Sequence, residues 1–247
     1  MVDERNPASG IGPPYLLFYA VPLLAAELSL LLVDAMLGIL LHGSVLLVAS
    51  AQLAMGRRPS RQSALVVLLP LTRLVSLVVP EGTTDPNLVS LMKSAPLLLA
   101  AILLARAAYP EVLRLVIGRP GRIATQVRLA ALGLPIGLLM LQTGGGGSMT
   151  TITSPGLWPA AVLSIAVFEE VLFRGLVQHA ATPRGPMFGI LLPNALYSTM
   201  YLGSGSAATV AAMTAVGLIF SLCVLRTDSL WGVIGAHALG RTIAALF

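Results

Sequence analysis

Two adjacent carboxylates and an arginine interrupt an apolar stretch of this sequence, at residues 168–174, Phe-Glu-Glu-Val-Leu-Phe-Arg. An ionisable group at bilayer depth costs about 2.5–3.5 kcal/mol on insertion scales, so such residues face a bundle interior or a wet cavity and usually mark function. On a helix Glu170 and Arg174 are four apart and share a face, so they can pair. Glu169 points about 100° away from that pair. We therefore expect the Glu169 carboxylate to be free for chemistry.

Two further groups of polar side chains lie in apolar stretches nearer the C-terminus. They are Asn194, Tyr197, Ser198 and Tyr201 in one stretch, and His237 with Arg241 in the last. Lipid offers such groups no hydrogen-bonding partners, so we expect the helices that contain them to meet. A carboxylate, an imidazole and a phenol that converge could hold and polarise a water molecule. A desolvated carboxylate in that position could act as a general base.

Each group also has a purely structural interpretation, and both interpretations remain open at this point. Glu170 and Arg174 could form an ion pair that only fixes the helix interior. The two tyrosines could belong to the aromatic belt at the membrane surface, which is the commoner place for tyrosine. His237 could bond to a neighbouring helix while the Arg241 side chain extends to the outer surface, as long basic side chains do.

The composition indicates which elements position these residues. Of 247 residues, 56% are hydrophobic and 10% are charged, whereas soluble domains have about 25% charged residues. Apolar runs close to spanning length recur from Tyr15 to the C-terminus, which predicts an all-α polytopic membrane protein with the lipid bilayer as a partner. The net charge of +5 comes from basic residues spread over the loops. This distribution indicates topology rather than a nucleic-acid-binding face, so we expect no nucleic acid partner.

The apolar runs divide into about nine predicted transmembrane helices. They cover residues 15–33, 34–55, 64–80, 88–108, 128–143, 157–178, 186–202, 207–225 and 229–247. Arginines cluster in every second connection, whereas the intervening loops, Pro80–Asn87, Gln142–Gly156 and Gly203–Ala207, contain no Lys or Arg. The positive-inside rule then places the N-terminus in the cytoplasm and the C-terminus outside. We expect the protein to lie in the cytoplasmic membrane of a prokaryote.

Four regions follow from this division. Residues 1–14 are a polar cytoplasmic tail without the apolar core of a secretory signal peptide. Residues 15–143 hold the N-terminal transmembrane helices, and residues 144–156 form a Gly/Ser-rich loop. Residues 157–247 form a C-terminal helical core that contains all three polar groups.

The run at residues 168–175 resembles the first motif of the CPBP family, the CAAX-protease and bacteriocin-processing group that is also called Abi. The stretches at residues 216–218, 225–231 and 237–239 look like the last two helices of that family. The resemblance covers residues 157–247, and it implies a CPBP-like intramembrane protease core. The first 150 residues fit the family only as generic membrane helices.

The resemblance assigns a role to each residue of the first and last motifs. Glu169 matches the carboxylate that activates water, and Glu170 with Arg174 matches its supporting pair. His237 matches the histidine that polarises the scissile carbonyl or stabilises its oxyanion. These residues and Tyr201 are the expected catalytic set.

Two positions depart from the family pattern. The second motif is an aromatic residue followed four positions later by histidine, and here the matching residues are Tyr197 and Tyr201. The terminal motif has Asn or Asp four residues after its histidine, where this chain has Arg241. Tyrosine is a poor metal ligand at neutral pH, so the zinc that the resemblance allows loses one of its best ligands and the cofactor stays unknown. Tyr197, Asn194 and Arg241 are the expected supporting residues.

Two hypotheses about function follow. In the first, the protein is an intramembrane endopeptidase that cleaves a membrane protein or peptide near the cytoplasmic leaflet, with Glu169 as general base. In the second, it is a catalytically inactive relative that acts as a binding subunit or assembly factor of a larger membrane complex. The family resemblance favours the first hypothesis, and the tyrosine and arginine substitutions favour the second.

Overall fold

A computed structural model describes residues 15–55, 61–78, 85–117, 123–143, 152–202 and 206–247. Within these ranges every regular element is helical. The predicted tail at residues 1–14 and the glycine run at residues 144–148 lie outside the described residues.

The N-terminal half contains seven helices in its described residues. They are α1 (Tyr15–Leu32), α2 (Ala35–Met55), α3 (Arg61–Val78), α4 (Pro86–Ala108), α5 (Pro110–Ile117), α6 (Ile123–Ala130) and α7 (Gly133–Thr143). Asp34 separates the first two helices, because its Oδ1 accepts from the backbone N–H groups of Met36 and Leu37 at 2.6 and 3.1 Å. An aspartate at this position caps a helix N-terminus. The predicted division between residues 33 and 34 is therefore confirmed.

The C-terminal half begins with α8 (Trp158–Glu170), which continues without a break into other helix types. The following elements are a π-helical segment (Val171–Val177), α9 (Gln178–Ala181), a 3-10 turn (Thr182–Arg184), α10 (Pro186–Thr199), α11 (Ala207–Thr227) and α12 (Trp231–Leu246). In the whole described part, four segments are long and apolar enough to cross a membrane: Ala35–Met55, Pro86–Ala108, Ile123–Thr143 and Ala207–Thr227. The number nine for the spans stays a prediction.

Helix α12 is positioned by close backbone contact with α7. A Cβ added at Gly133 would lie 2.5 Å from the carbonyl oxygen of Ala236, and one added at Gly137 would lie 2.6 Å from Cβ of Ile243. Small residues let membrane helices approach in this way. In lipid there is no hydrophobic effect between helices, so close van der Waals packing stabilises their association instead. The contact fixes the height and rotation of the last helix.

The arginine-free loops meet at one end of the bundle. Asp85 accepts hydrogen bonds from the hydroxyls of Thr153 and Ser154, which joins the first two of these loops. The Thr209 hydroxyl donates to the Thr143 carbonyl at 2.7 Å, which joins the start of α11 to the end of α7. These contacts agree with the predicted alternation of loops, while the side of the membrane on which each end lies stays a prediction.

Candidate active site

The first polar group lies where α8 changes into the π-helical segment. Glu169 and Glu170 are the last two residues of α8, and Arg174 is in the middle of the segment, all of whose residues are buried. π-helical turns inside α-helices are rare, and those that occur are often at functional sites. The sequence indicates an uninterrupted helix here and gives no sign of this change, because the segment contains no proline and only one glycine, Gly175.

Glu170 is the buried anchor of the site. Its Oε1 lies 2.8 Å from His237 Nδ1 and 3.5 Å from Arg174 Nη1, and the Glu170 and Arg174 side chains are 0% exposed. The predicted ion pair with Arg174 is present, but His237 is the nearer partner. Glu170 therefore fixes the imidazole of α12 against the end of α8.

The Arg174 guanidinium lies in an aromatic cage behind Glu170. Its Cζ is 4.3 Å from the ring centroid of Tyr197 and 5.8 Å from that of Phe220. Such a cation–π contact stabilises a desolvated cation by about 2 kcal/mol. The cage needs a glycine in α11, because a Cβ at Gly217 would lie 2.7 Å from Arg174 Nη2. Phe220 was missed by the sequence analysis, since an apolar residue in an apolar helix gives no signal.

Asn194 holds α10 against α11 beside this cage. Its amide Nδ2 donates to the Ile190 carbonyl at 2.5 Å and to the Ser221 hydroxyl at 3.0 Å. Its Oδ1 faces Gly217 from the same side as the guanidinium of Arg174. Asn194 thus contacts the surroundings of Arg174 rather than Glu169.

Glu169 is not free, which corrects the expectation from its helical angle. Its Oε1 lies 3.0 Å from Arg241 Nη2, and its Oε2 lies 3.4 Å from the Tyr201 hydroxyl and 3.6 Å from His237 Nε2. The Tyr201 hydroxyl is also 3.2 Å from that of Tyr197. The different helical angles of Glu169 and Glu170 were predicted correctly, but the turn after α10 and helix α12 supply partners for Glu169.

Arg241 points into the bundle, so the interpretation of this side chain as extending to the outer surface is wrong. Its Nε donates to His237 Nε2 at 2.9 Å, and its Nη2 also lies 3.4 Å from the Tyr201 hydroxyl. The Arg241 side chain is 12% exposed and that of Glu169 is 11% exposed. Glu169 and Arg241 therefore form the accessible side of the site, and Glu170 with Arg174 forms its buried side.

The donor set does not fit a zinc ion. His237 uses Nδ1 toward Glu170 and Nε2 toward Arg241, so neither nitrogen offers a lone pair to a metal. Within the described ranges, no group of three or more His, Cys, Asp or Glu residues is arranged to hold a metal ion. A zinc site needs about four such ligands or three and a water.

A comparison with protein families gives one match. The family model described as type II CAAX prenyl endopeptidase Rce1-like matches residues 151–243. The predicted resemblance to the CPBP group is thereby confirmed for residues 151–243. Comparisons with curated proteins and with solved structures found no match.

The Rce1-like region contains the whole candidate site, from Glu169 to Arg241. Together with the four apolar helical segments, the match confirms an all-α polytopic protein that lies in a membrane. Part of the packing around the site comes from outside the region, because a Cβ at Gly175 would lie 2.9 Å from Cγ1 of Val112 in α5.

Proposed function

We propose that the protein is an intramembrane endopeptidase that uses Glu169 as its general base. The observation that supports this function is that two side chains from other parts of the bundle, Tyr201 and His237, face one carboxylate oxygen of Glu169. Glu169 Oε2 faces the Tyr201 hydroxyl at 3.4 Å and His237 Nε2 at 3.6 Å. A carboxylate on the accessible side of a desolvated site can take a proton from water.

In the proposed reaction a water molecule donates a proton to Glu169 while its oxygen attacks the scissile carbonyl carbon. His237 Nε2 orients the water by accepting a hydrogen bond from it, and the Tyr201 hydroxyl donates a hydrogen bond to the oxyanion that forms. When the intermediate collapses, the C–N bond breaks and Glu169 returns the proton to the leaving nitrogen. The products are a carboxylic acid and an amine, and the glutamate is again a carboxylate.

The substrate is proposed to be a membrane protein or peptide of the prenylated CAAX type that the family description names. Glu169 is the twelfth residue of α8, so it lies about 16 Å along the helix axis from the first residue at 1.5 Å per residue. With the start of α8 at the membrane surface, Glu169 would lie near the middle of a hydrocarbon core of about 30 Å. Cleavage near the cytoplasmic leaflet stays a prediction. Hydrolysis at this site requires that the substrate chain enter the helix bundle as far as Glu169.

The test is hydrolysis of a prenylated peptide with a free C-terminus by the purified protein in proteoliposomes. Glu169→Gln should lower turnover at least about 10²-fold, since general bases contribute about 10²–10⁴. Glu111→Gln is the matched control, because Glu111 pairs with His179 outside the site. Unchanged turnover in Glu169→Gln would rule out the proposed function.

One observation favours the second function, an inactive subunit of a membrane complex. Arg241 already engages Glu169 and His237, the two groups that hydrolysis would use. This function predicts that the wild-type protein and Glu169→Gln both lack turnover. It also predicts that both purify with one partner protein in a fixed stoichiometry. Loss of that partner in Glu169→Gln would contradict it.

A further inference from the structure

Arg241 lies between the two groups that peptide hydrolysis would use. Its Nη2 is 3.0 Å from Glu169 Oε1, and its Nε donates to His237 Nε2 at 2.9 Å. We propose that Arg241 is a positioning residue that locks the site in a resting state by occupying both groups at once. This inference rests on the proposed function, because the reaction that the lock restrains is hydrolysis at Glu169.

The contact between Arg241 and His237 occupies the acceptor nitrogen of the imidazole. A guanidinium has five N–H donors and no acceptor, so His237 Nε2 must be the acceptor in this hydrogen bond. The single ring proton of the neutral imidazole then lies on Nδ1, which is 2.8 Å from Glu170 Oε1 and donates to it. While Arg241 holds Nε2, this nitrogen cannot accept a hydrogen bond from the attacking water.

The contact between Arg241 and Glu169 pairs the negative charge of the proposed base with a cation. The accessible carboxylate is paired with one arginine, and the buried carboxylate Glu170 is within 3.5 Å of another, Arg174. The two negative charges of the carboxylates and the two positive charges of the guanidiniums therefore compensate each other. Because the side chains of Glu169 and Arg241 are only 11% and 12% exposed, water screens this pair weakly and the lock does not open by solvation alone.

A shorter and neutral side chain at this position could not make both contacts. Arg241→Asn should therefore release His237 Nε2 and Glu169 together. Arg241→Lys keeps a positive charge near Glu169 but lacks the planar fork of donors that bridges two groups. It should release His237 while Glu169 stays paired.

Nitrogen-15 NMR of histidine in the detergent-solubilised protein tests the lock without any assay of activity. The chain has three histidines, so the His237 signals can be assigned by substituting the other two. The wild type should show the Nδ1–H tautomer with Nε2 as a hydrogen-bond acceptor, and both Arg241→Asn and Arg241→Lys should shift the Nε2 signal, because the hydrogen bond from Arg241 is lost while Nδ1–H still donates to Glu170. An unchanged His237 Nε2 signal in these variants overturns the proposal. Arg241→Lys decides the question if Arg241→Asn does not fold.

Labelling of Glu169 by dicyclohexylcarbodiimide, which modifies carboxyl groups in apolar surroundings that are not held in an ion pair, is the second readout. Labelling should be low in the wild type and in Arg241→Lys and should rise in Arg241→Asn. Arg226→Asn, a change in an exposed arginine at the end of α11, is the control and should alter neither readout. Equal labelling of Glu169 in the wild type and Arg241→Asn overturns the proposal.

Turnover separates the lock from the proposed function. If both hold, Arg241→Asn should hydrolyse the peptide at least about tenfold faster than the wild type, within the range that a general base contributes. If Arg241→Asn shows the shifted Nε2 signal and higher labelling but no variant hydrolyses the peptide, the lock stands and the proposed function fails. A lower turnover in a folded Arg241→Asn overturns the lock.

Discussion

His237 Nδ1 lies 2.8 Å from Glu170 Oε1, whereas Arg174 Nη1 lies 3.5 Å from the same oxygen. Arg174 is nevertheless the residue four positions after Glu170 in the sequence. The sequence spacing predicts Arg174 as the partner of Glu170, but the nearer partner is His237 from another helix. Glu170 joins α8, the π-helical segment and α12 at a single buried oxygen. The geometry of the site depends on this carboxylate more than on the accessible one.

Glu170→Gln should therefore destabilise the folded protein strongly. The amide can still accept from His237, but Arg174 is left as a buried cation without a counterion, which typically costs about 3–5 kcal/mol. The free energy of unfolding in detergent measures the effect. Glu111→Gln, which removes an ion pair whose side chains are 33% and 39% exposed, should cost at most about 1 kcal/mol. Equal losses in the two variants would contradict the anchoring role of Glu170.

The two tyrosines should differ in what their hydroxyls do. Tyr201→Phe removes the hydroxyl that faces Glu169, and turnover should fall about 10²–10³-fold, as for other lost oxyanion donors. Tyr197→Phe keeps the ring under Arg174 and loses only a hydroxyl that lies 3.2 Å from that of Tyr201. It should change turnover and stability little. A larger loss in Tyr197→Phe than in Tyr201→Phe would reverse these assignments.

The loops at the arginine-free end should open in acid. Hydrogen bonds from the hydroxyls of Ser154 and Thr153 hold the pKa of Asp85 below its ordinary value of 3.8. A carboxylate whose pKa is lower in the folded state stabilises that state above the unfolded pKa and loses this effect as the pH falls through the folded pKa. The contact should thus be complete above pH 3.8 and weaken below it.

Fluorescence of Trp158, the first residue of α8, reports this opening in a Trp231→Phe background. The emission should shift as the pH falls below 3.8. In Asp85→Asn the same shift should be absent, because the amide does not titrate. A shift of equal size in both proteins would show that another group controls the loops.

The sequence predicted that the polar groups would meet, because helices in lipid must satisfy buried polar atoms among themselves. It could not predict which atoms pair. Helical angle correctly separated Glu169 from Glu170, but the rotation of α12 decides that Arg241 reaches Glu169. That rotation follows from glycine contacts between α7 and α12, and glycine has no side chain whose chemistry would indicate a partner.

The sequence also gives no indication that Gly217 matters, because its effect on the site is entirely steric. Gly217→Ala would place a Cβ 2.7 Å from Arg174 Nη2 and against Asn194 Oδ1. The buried guanidinium cannot withdraw without leaving the Tyr197 ring and Glu170, so the variant should lose about 1–3 kcal/mol of unfolding free energy, as for other overpacked interiors. The Glu170–His237 contact should loosen with it, and turnover should fall.

Gly43→Ala is the matched control, since a Cβ at this position of α2 has no atom within 4 Å. Alanine favours a helix over glycine by about 1 kcal/mol, so this variant should be neutral or slightly more stable. Thermal unfolding of the two variants in the same detergent makes the comparison. If Gly217→Ala unfolds at the same temperature as Gly43→Ala, the guanidinium has room to move and Arg174 is not confined by α11.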